Sequence, residues 1–423
     1  MVALPSTGKA TSPAVPPWSA LPPKLADLVL RHLPSDADRI RFAAVCRHWN
    51  HHIARQATSS SRWSALQPEL VDLVLRRLYS HADRVRFVTV CRHWRHVARN
   101  YSAPLPPALP WLCSTDGACE SLPDSKLYNL RFWDGEYSCQ GSFGNFLLLN
   151  KEIGSSHRFL EDPLSGDTVQ LPIQLYDSRR CSITESFDIL KVIVCSSDHI
   201  AAMVRFDGDY FNHMVVCCRP GMPEWSTRRP RNIRNYQDMA FHEGSLYAVA
   251  SGGDLFLHEV TKNSESGEPM VRGDKQVIQS PPWDGLDEVP GNRATGRLVI
   301  SRTGKLLLVR WIVDISTKLT LHVFEADFEM GLWLQVESFD DQVLFVSSNC
   351  SRAMSASVHD DCLQANTIYL IDDVTMFWKF WPDPNAIACM YDMRSKTIHH
   401  ISLGDRFSET LDAAWFFPTS ISS

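Results

Sequence analysis

The sequence predicts a multidomain protein in which small N-terminal helical modules precede an all-β domain with the length and strand number of a six- or seven-bladed propeller. Three observations support this fold class. Residues 18–51 and 63–96 repeat one another, with 24 of 34 aligned positions identical. A Pro-rich stretch at residues 101–110 follows the repeats. Beyond it, short apolar or alternating segments bounded by turn residues replace helical periodicity almost completely.

These observations divide the chain into seven segments. The first residues are rich in Pro, Ser, Thr and Ala, a composition typical of disorder. A Thr-Ser-Ser-Ser run between the repeats predicts a flexible joint. The predicted segments are a disordered tail at 1–17, a first helical copy at 18–56, a linker at 57–62, a second copy at 63–100, a Pro-rich linker at 101–110, the all-β domain at 111–410 and a C-terminal tail at 411–423.

Each repeated module reads as a bundle of two or three short helices. Pro22 and Pro23 fit the opening turn of a helix, where a missing N–H costs little. Ser35 with Asp38 predicts a capping box at the next helix, and the second copy repeats it with Ser80 and Asp83. A segment of roughly 40 residues buries little apolar surface by itself, so we expect a docking element that a partner completes. The apolar positions at helical spacing are Leu25, Leu28, Val29, Leu33, Ile40, Ala44, Val45 and Trp49 in the first copy, and Leu70, Leu73, Val74, Leu78, Val85, Val90 and Trp94 in the second.

The region after the Pro-rich linker predicts many short strands. A β-sandwich of about 100 residues has too few strands to account for this number, whereas several propeller blades of about 40 to 50 residues each fit the length of the region. Residues 241–260 predict antiparallel strands, because glycines stand at the turns between them. The predicted strands are 146–150, 190–195, 200–206, 213–219, 245–250, 254–260, 297–301, 305–312, 319–325, 332–337, 343–347, 367–371 and 388–393.

The charge of the chain is distributed unevenly. The net charge is −6, but between Trp18 and Asn100 there are 14 Lys and Arg against 6 Asp and Glu, which leaves −15 for residues 101–423. A basic helical module suits nucleic acid or an acidic protein partner, and charge alone does not choose between them.

The cysteines and the apolar runs indicate in which cellular compartment the protein is expected. The 12 cysteines include no CxxC pair, so we predict neither a zinc site nor a disulfide framework. The first residues lack the apolar region of a signal peptide, and no apolar run approaches the roughly 18 residues of a membrane span. We therefore expect no membrane association and a location in the cytoplasm and/or nucleus, with the cysteines as small buried apolar side chains.

Several candidate chemical sites have simpler interpretations. A Cys-Arg-His-Trp sequence occurs at 46–49 and 91–94, but its Cys and His lie on different helix faces, which favours a buried Cys and Trp over a metal site. The basic run at 228–234 favours a solvated loop over a phosphate contact or a nuclear address. The acidic pairs at 340–341 and 372–373 favour capping of strand ends over catalysis. No G-x-S-x-G, P-loop, Rossmann or H-E-x-x-H motif occurs, so we predict no catalytic residue and no cofactor.

The repeated stretch resembles the F-box, a helical module with a Leu-Pro-x-x-Leu start, an apolar stripe and an Arg-x-Arg-x-x-x-Val-Cys-x-x-Trp end. The second copy has Gln67 in place of the first proline. The matching residues are Leu21, Pro22, Leu25, Leu28, Leu30, Leu33, Pro34, Arg39, Arg41, Val45, Cys46 and Trp49 in the first copy, and Leu66, Leu70, Leu73, Leu75, Leu78, Arg84, Arg86, Val90, Cys91, Trp94 and Arg95 in the second. The rest of the chain is similar to plant F-box proteins with a propeller-type C-terminal domain of unknown function, a family expanded in grasses, through residues 106–130, 159–172, 332–351, 366–373 and 387–398.

The resemblance implies a non-enzymatic substrate receptor. The F-box would dock on the Skp-type adaptor of a cullin-based ubiquitin ligase, while the propeller would recruit an unknown protein substrate, with no nucleic acid or membrane partner. Two alternatives stay open: a scaffold or regulatory binding protein that acts without ubiquitin transfer, and an enzyme whose residues are spread over several blades. The implied adaptor contacts are Leu66, Pro68, Leu70, Leu73, Val74, Leu78, Val90 and Trp94 in the second copy, or Leu21, Pro22, Leu25, Leu28, Val29, Leu33 and Trp49 in the first.

The presence of two copies departs from the family layout, in which one F-box precedes the Pro-rich linker. The second copy occupies that place, and we predict that it contacts the adaptor. The first copy has the better Leu-Pro start, because Gln67 interrupts the motif in the second. Either copy could instead be a duplication remnant packed on its neighbour.

Overall fold

The computed structural model describes part of the chain between residues 66 and 418. The predicted N-terminal tail, the first helical copy and the linker at 57–62 lie outside the described residues. The described residues form two compact units, a helical unit (66–78 and 82–105) and a strand-rich unit (79–81 and 106–418). The gaps are 101–104, 115–116, 123–125, 130–136, 152–156, 178–180, 184–186, 207–211, 228–233, 263–266, 282–292, 314–317, 360–361, 373–386 and 402–412.

Three short helices follow the predicted pattern of the second copy: α1 (Pro68–Arg76), α2 (His81–Thr89) and α3 (Arg92–Asn100). Pro68, which aligns with Pro23 of the first copy, is the first residue of α1. Val71 and Leu75 point inward from α1 and are fully buried. The rings of Phe87 and Trp94 stack with their centroids 4.5 Å apart. These apolar contacts hold together helices that would be marginal in isolation.

The start of α2 agrees with the prediction, but the capping box does not form. Ser80 directly precedes the helix, yet its buried hydroxyl has no hydrogen-bond partner among the described residues. Asp83 instead accepts a hydrogen bond from Arg86 Nη1 at 2.7 Å. At α3 the cap is a cysteine, because the Cys91 thiol accepts a hydrogen bond from the Trp94 amide at 3.4 Å.

The strand-rich unit contains the following described strands. From the first to the thirteenth they are β1 (Trp111–Ser114), β2 (Ala118–Ser121), β3 (Lys126–Asn129), β4 (Tyr137–Phe143), β5 (Phe146–Lys151), β6 (His157–Glu161), β7 (Thr168–Leu171), β8 (Gln174–Asp177), β9 (Cys181–Ile183), β10 (Phe187–Ser196), β11 (His199–Phe206), β12 (His213–Cys218) and β13 (Glu224–Thr227). The others are β14 (Tyr236–His242), β15 (Ser245–Ala250), β16 (Leu255–Lys262), β17 (Pro269–Ile278), β18 (Arg293–Ile300), β19 (Leu306–Val313), β20 (Leu319–Asp327), β21 (Leu332–Val336), β22 (Gln342–Val346), β23 (Arg352–Ser355), β24 (Thr367–Asp372), β25 (Ile387–Asp392), β26 (Thr397–His400) and β27 (Ala413–Phe416).

These strands pair mainly with their sequence neighbours. Three sheets have four strands each, in the orders β27-β1-β2-β3, β4-β5-β6-β7 and β18-β19-β20-β21. One sheet has five strands in the order β23-β22-β24-β25-β26. The largest sheet contains two antiparallel runs, β10 to β13 and β14 to β17, joined by one parallel pair of residues, Thr227 and Val271. We call these six groups strand sets one to six, beginning with β27 and β1–β3.

Apolar residues fill the space between consecutive strand sets. Each of six buried clusters draws its members mainly from two neighbouring sets, and the sixth set packs on the first. Representative buried pairs are Leu148 with Val204, Ala201 with Ala248, Val249 with Leu308, Val309 with Leu344, Phe345 with Trp415, and Phe416 with Leu147. Non-directional burial of this kind is the dominant favourable term in folding.

The chain end forms part of the first strand set. Strand β27 pairs antiparallel with β1, so that Phe416 lies opposite Trp111. The indole Nε1 of Trp415 donates to the Val346 carbonyl at 3.2 Å, and the Phe417 amide donates to the Gly144 carbonyl at 2.8 Å. The prediction of a C-terminal tail at 411–423 is therefore wrong for residues 413–416. These four residues, AAWF, carry no alternating pattern, and their partner strand lies about 300 residues away.

All thirteen predicted strands coincide with strands of the structure, with ends that differ by a few residues. The hairpin predicted within residues 241–260 forms as expected: β14 and β15 are joined by Glu243 and Gly244, which have φ values of 47° and 76°. Positive φ at both turn positions matches the twist of the flanking strands. The end of the predicted linker, in contrast, belongs to the strand-rich unit, where Leu109 is fully buried.

One cysteine pair corrects the expectation of no disulfide. Cys113 and Cys119 lie opposite each other on β1 and β2, with Cα atoms 4.1 Å apart, and form a disulfide. The two cysteines are six positions apart in the sequence, on either side of a turn, so the search for CxxC spacing missed them. Most of the other described cysteines are buried, and burial raises the pKa of the Cys195 and Cys389 thiols to about 12, as expected for small apolar side chains.

Gly141 occupies a crowded position in β4. Its φ is +148°, and a Cβ atom there would lie 2.2 Å from Asn349 Nδ2. We expect Gly141→Ala to lower the free energy of unfolding by about 1–3 kcal/mol, because the side chain must displace its neighbour. Gly144→Ala is the matched control, since Gly144 has φ +71° but open space around it. Urea unfolding should show the larger loss at Gly141, and an equal or smaller loss there would contradict the steric explanation.

The buried His258 is expected to make the free energy of unfolding depend on pH. Burial lowers the pKa of its imidazole to about 4; Asp274 opposes this shift and Arg234 adds to it. The folded protein therefore keeps His258 neutral while the unfolded chain takes up a proton below about pH 6.5, so stability falls as the pH falls from 6.5 towards 4. Between pH 7.5 and 5 we expect this residue to remove about 2 kcal/mol. Urea unfolding at both pH values should show that His258→Phe loses less stability on acidification than the wild type, and parallel losses would rule out this assignment.

Candidate docking face of the helical unit

Helix α1 separates a core side from a surface side. Val71 and Leu75 are fully buried, whereas Leu73 is 46% exposed and Leu70 is half-buried. Leu70 and Leu73 are three residues apart and therefore neighbours on the helix surface. Exposed large apolar side chains are costly to leave in water, so this side of α1 is a candidate contact surface.

The structure divides the predicted adaptor contacts of the second copy into two groups. Trp94 is 9% exposed and belongs to the core of the helical unit, against which Leu66, Val74 and Leu78 pack. Pro68, Leu70, Leu73 and Val90 reach the surface, and Val90 is 59% exposed. The first group supports the helices from within, and the second is available to a partner.

Val85 is a surface residue that the predicted contact set omitted. It is exposed on α2, although the sequence pattern places it with the apolar positions of the helix. An apolar residue on a helix that otherwise exposes charge is the signal that could have identified it. We use the term docking face as a collective name for Leu70, Leu73, Val85 and Val90, apolar residues that reach the surface of the helical unit.

The helical unit also exposes basic side chains. On α3, Arg92, Arg95, His96 and Arg99 are exposed, and Arg95 Nε donates to the Val88 carbonyl at 3.1 Å. Residues 66–105 contain seven arginines and three acidic residues. Exposed charges of one sign steer the encounter with a partner of opposite charge.

Buried polar contacts fix the ends of α1. The buried Arg84 guanidinium donates through Nε to the Leu78 carbonyl at 2.6 Å, just beyond the end of α1. Burial lowers the pKa of this guanidinium to about 10. At the other end, His93 Nε2 lies 2.7 Å from the Leu66 carbonyl oxygen. These contacts hold α1 in a defined orientation relative to α2 and α3.

The metal interpretation gains no geometric support in the part of the chain that the structure describes. No group of three or more His, Cys, Asp or Glu residues is arranged there to hold a metal ion. Cys91 caps α3 and His93 contacts the Leu66 carbonyl, so both have other roles.

The acidic pair at 340–341 has a capping role. Asp341 caps a turn, accepting hydrogen bonds from the Ser357 amide and hydroxyl, in agreement with the capping interpretation.

The candidate contacts of the first copy lie outside the described residues. They are Leu21, Pro22, Leu25, Leu28, Val29, Leu33 and Trp49. The basic run at 228–233 is also outside the described residues, and Arg234 forms an ion pair with Asp274 at 2.7 Å.

Comparison with protein families identifies the strand-rich unit. The model of the family described as KIB1-4 beta-propeller matches residues 119–392, which is more than half of the chain. The chain belongs to the KIB1-4 β-propeller family. A second family model, described as F-box-like, matches residues 18–58, the first helical copy. The resemblance to plant F-box proteins with a propeller-type domain is thereby confirmed, while an F-box in the second copy stays a prediction.

Two relatives come from Arabidopsis thaliana. "Putative F-box protein At3g25750" is 21% identical over 401 residues, covering 91% of this chain and 96% of the relative. "Putative F-box protein At2g33190" is 25% identical over 185 residues, covering 43% and 45%. Among solved structures, a dipeptidyl aminopeptidase IV from Bacteroides ovatus, so described with the qualifier "putative", matches 71% of this chain and 46% of its own, with 11% identity and a TM-score of 0.25.

The KIB1-4 family chain thus combines an F-box-like domain with a β-propeller domain, the domain composition of F-box substrate-adaptor proteins. Such domains are typical of non-catalytic adaptors, and F-box domains generally bind a Skp-type adaptor. The described helices are too short or too polar to cross a bilayer.

Proposed function

We propose that this protein is the non-catalytic substrate-recognition subunit of a Skp–cullin–F-box ubiquitin ligase. The observation that carries the proposal is the presence of an F-box-like domain and a KIB1-4 β-propeller on one chain. In this arrangement the helical modules dock the adaptor, and through it the cullin, while the propeller binds a protein target. The working location is the cytoplasm and/or nucleus, without nucleic acid or membrane as a partner.

Docking of the adaptor combines apolar burial with electrostatic attraction. The exposed side chains of Leu73 and Val90 would be covered by apolar helices of the adaptor, which supplies most of the affinity. The arginines of α3 would favour an acidic adaptor surface and speed its encounter. Trp94 and Leu78 would act from within by holding the helices that present this face.

We further propose that the target-binding domain, placed at residues 111–410 and extended to include β27, is a six-bladed propeller. The six strand sets support this count, as does the packing of each set on the next, with the sixth against the first. In this interpretation the pairing of β27 with β1 closes the ring. The loops of a rigid ring provide a surface for target proteins.

A binding experiment tests the adaptor role of each copy. Purified full-length protein should retain the Skp-type adaptor in a pull-down. If the second copy makes the contact, the double variant Leu73→Glu/Val90→Glu should weaken binding by about 10- to 100-fold, the range expected for loss of interface anchors. Both positions are exposed, so folding should be preserved. Met330→Glu, at an exposed position of the strand-rich unit, is the matched control and should bind normally.

The outcomes separate the copies and the function classes. Loss of binding in the triple variant Leu21→Ala/Leu25→Ala/Leu28→Ala, with normal binding of the second-copy variant, would assign the contact to the first copy. No adaptor binding by the wild type would contradict the ligase proposal. Adaptor binding without cullin-dependent ubiquitin transfer to any co-purified protein would favour a scaffold or regulatory role.

A further inference from the structure

A cavity of about 440 Å³ lies within the strand-rich unit where all six strand sets meet. We call it the axial cavity. Every set contributes to its wall through the strand nearest the centre or the residues just after that strand. The contributing residues include Phe143, Lys191, Met239, Leu298, Arg352 and Phe417.

The charge of the axial cavity is opposite to that of the domain around it. Among its described lining residues, Lys191 and Arg352 carry the only charges, and both are positive. The sequence from residue 101 onward has a net charge of −15. Lys191 and Arg352 line this cavity together with Cys350. Burial raises the pKa of the Cys350 thiol and the charge of Asp238 adds to that rise, whereas the Gly144 amide and the charges of Lys191 and Arg352 oppose it.

Lys191 has hydrogen-bonding capacity left in this cavity. It is 6% exposed, and its ammonium donates to Asp238 Oδ1 at 2.5 Å. An ammonium has three donors, and Asp238 is its one acceptor among the described residues. The remaining donors are available to an anionic acceptor in the cavity, and the burial of Lys191 would make that interaction stronger than in bulk water.

Arg352 has no anionic partner among the described residues. Its guanidinium lies 5.3 Å from the centre of the Phe417 ring, a cation–π arrangement that orients it at the cavity. No carboxylate or carbonyl among the described residues accepts a hydrogen bond from it. A guanidinium presents a planar set of donors that matches a carboxylate bidentately. Arg352 itself is exposed, so its donors are hydrated and available to a ligand carboxylate at the cavity.

The volume and the apolar lining of the axial cavity indicate that the remainder of the ligand is small and apolar. Most of the wall is apolar, with Met239, Phe241 and Leu298 among its residues. Small-molecule sites are typically about 300–1,000 Å³ and mostly apolar, with a few polar groups that fix orientation. A folded partner domain could not enter such a space.

We propose that the axial cavity binds a small organic carboxylate, with the carboxylate at Lys191 and Arg352 and an apolar body against Met239 and Leu298. Binding of this ligand does not depend on the adaptor or on ubiquitin transfer. The strand-rich unit would then have a small-molecule binding site whose residues are different from those of the docking face.

Calorimetric titration of the full-length protein with octanoate tests this site. Octylamine and 1-octanol are the control probes, because they keep the chain length and change only the charge. We expect octanoate to bind more tightly than both, and Arg352→Gln to weaken it by about tenfold or more, the effect of losing a charged hydrogen bond. Arg394→Gln, in the exposed turn after β25, is the matched control and should bind octanoate as the wild type does. Thermal unfolding of both variants checks that the fold is kept.

Three results would overturn the proposal. One is the absence of octanoate binding at millimolar concentration, and another is equal binding by wild type and Arg352→Gln. The third comes from a capped heptapeptide with a central Leu-Phe-Asp sequence. If it binds in an Arg352-dependent manner while octanoate does not, the cavity recognises a peptide segment and not a small carboxylate.

Discussion

Asp238→Ala is expected to lower the free energy of unfolding by about 3–5 kcal/mol, because it leaves a buried ammonium without its counter-charge. The Asp238 carboxylate is fully buried. Its Oδ1 accepts from Lys191 Nζ at 2.5 Å and from the Met239 amide at 2.8 Å, and its Oδ2 accepts from the Leu298 amide at 2.7 Å. One carboxylate thus connects β10, β14 and β18. Urea unfolding of the full-length protein measures the loss.

Two comparisons test whether burial of the ion pair causes the large stability loss expected for Asp238→Ala. Asp188→Ala removes the partner of Arg205 from a partly exposed pair at 2.9 Å, and we expect a cost of about 1 kcal/mol or less. In the double variant Lys191→Met/Asp238→Asn, the ammonium is gone and the amide oxygen still accepts from one of the two backbone donors. It should be more stable than Asp238→Ala alone. A cost for Asp238→Ala as small as that for Asp188→Ala would contradict the role of the buried pair.

The helical unit was predictable because its determinants are local. Apolar spacing placed Val74 and Trp94 on helices, and Pro68 marks the start of α1. The exposure of Leu73 and Val90 was not predictable, since both belong to the same apolar pattern as the buried residues. Only the packing of three helices decides which apolar side chains remain at the surface.

In the strand-rich unit, too, local features were predictable from the sequence and contacts between distant residues were not. Strands such as β15 and β19 carry long apolar or alternating runs, and the sequence located them within a few residues. Shorter strands, including β7 and β26, bury at most one of their four residues and leave little apolar signal. Contacts between distant residues are absent from any local pattern. The Lys191–Asp238 pair, the Cys113–Cys119 disulfide and the pairing of β27 with β1 all belong to this class.

Trp415→Ala is the substitution in β27 with the largest expected effect, a loss of about 3–5 kcal/mol in the free energy of unfolding. The indole is 1% exposed and donates to the Val346 carbonyl at 3.2 Å. Its ring packs edge-on against Phe345, with centroids 5.1 Å apart. The substitution therefore creates a cavity and leaves a buried carbonyl oxygen without its donor, which adds to the cost. Urea unfolding measures it.

Supplying β27 as a separate peptide distinguishes pairing of this strand from general loss of packing. A chain that ends at residue 410 leaves β1 without its partner strand, and an unpaired strand edge promotes aggregation. We expect this chain to unfold at lower urea concentration than the wild type, and a peptide of residues 411–423 to restore part of the loss. The same peptide with Trp415→Ala should restore much less, because the pairing with β1 is kept but the indole contacts to Phe345 and Val346 are missing. Equal rescue by both peptides would show that backbone pairing alone closes the first strand set.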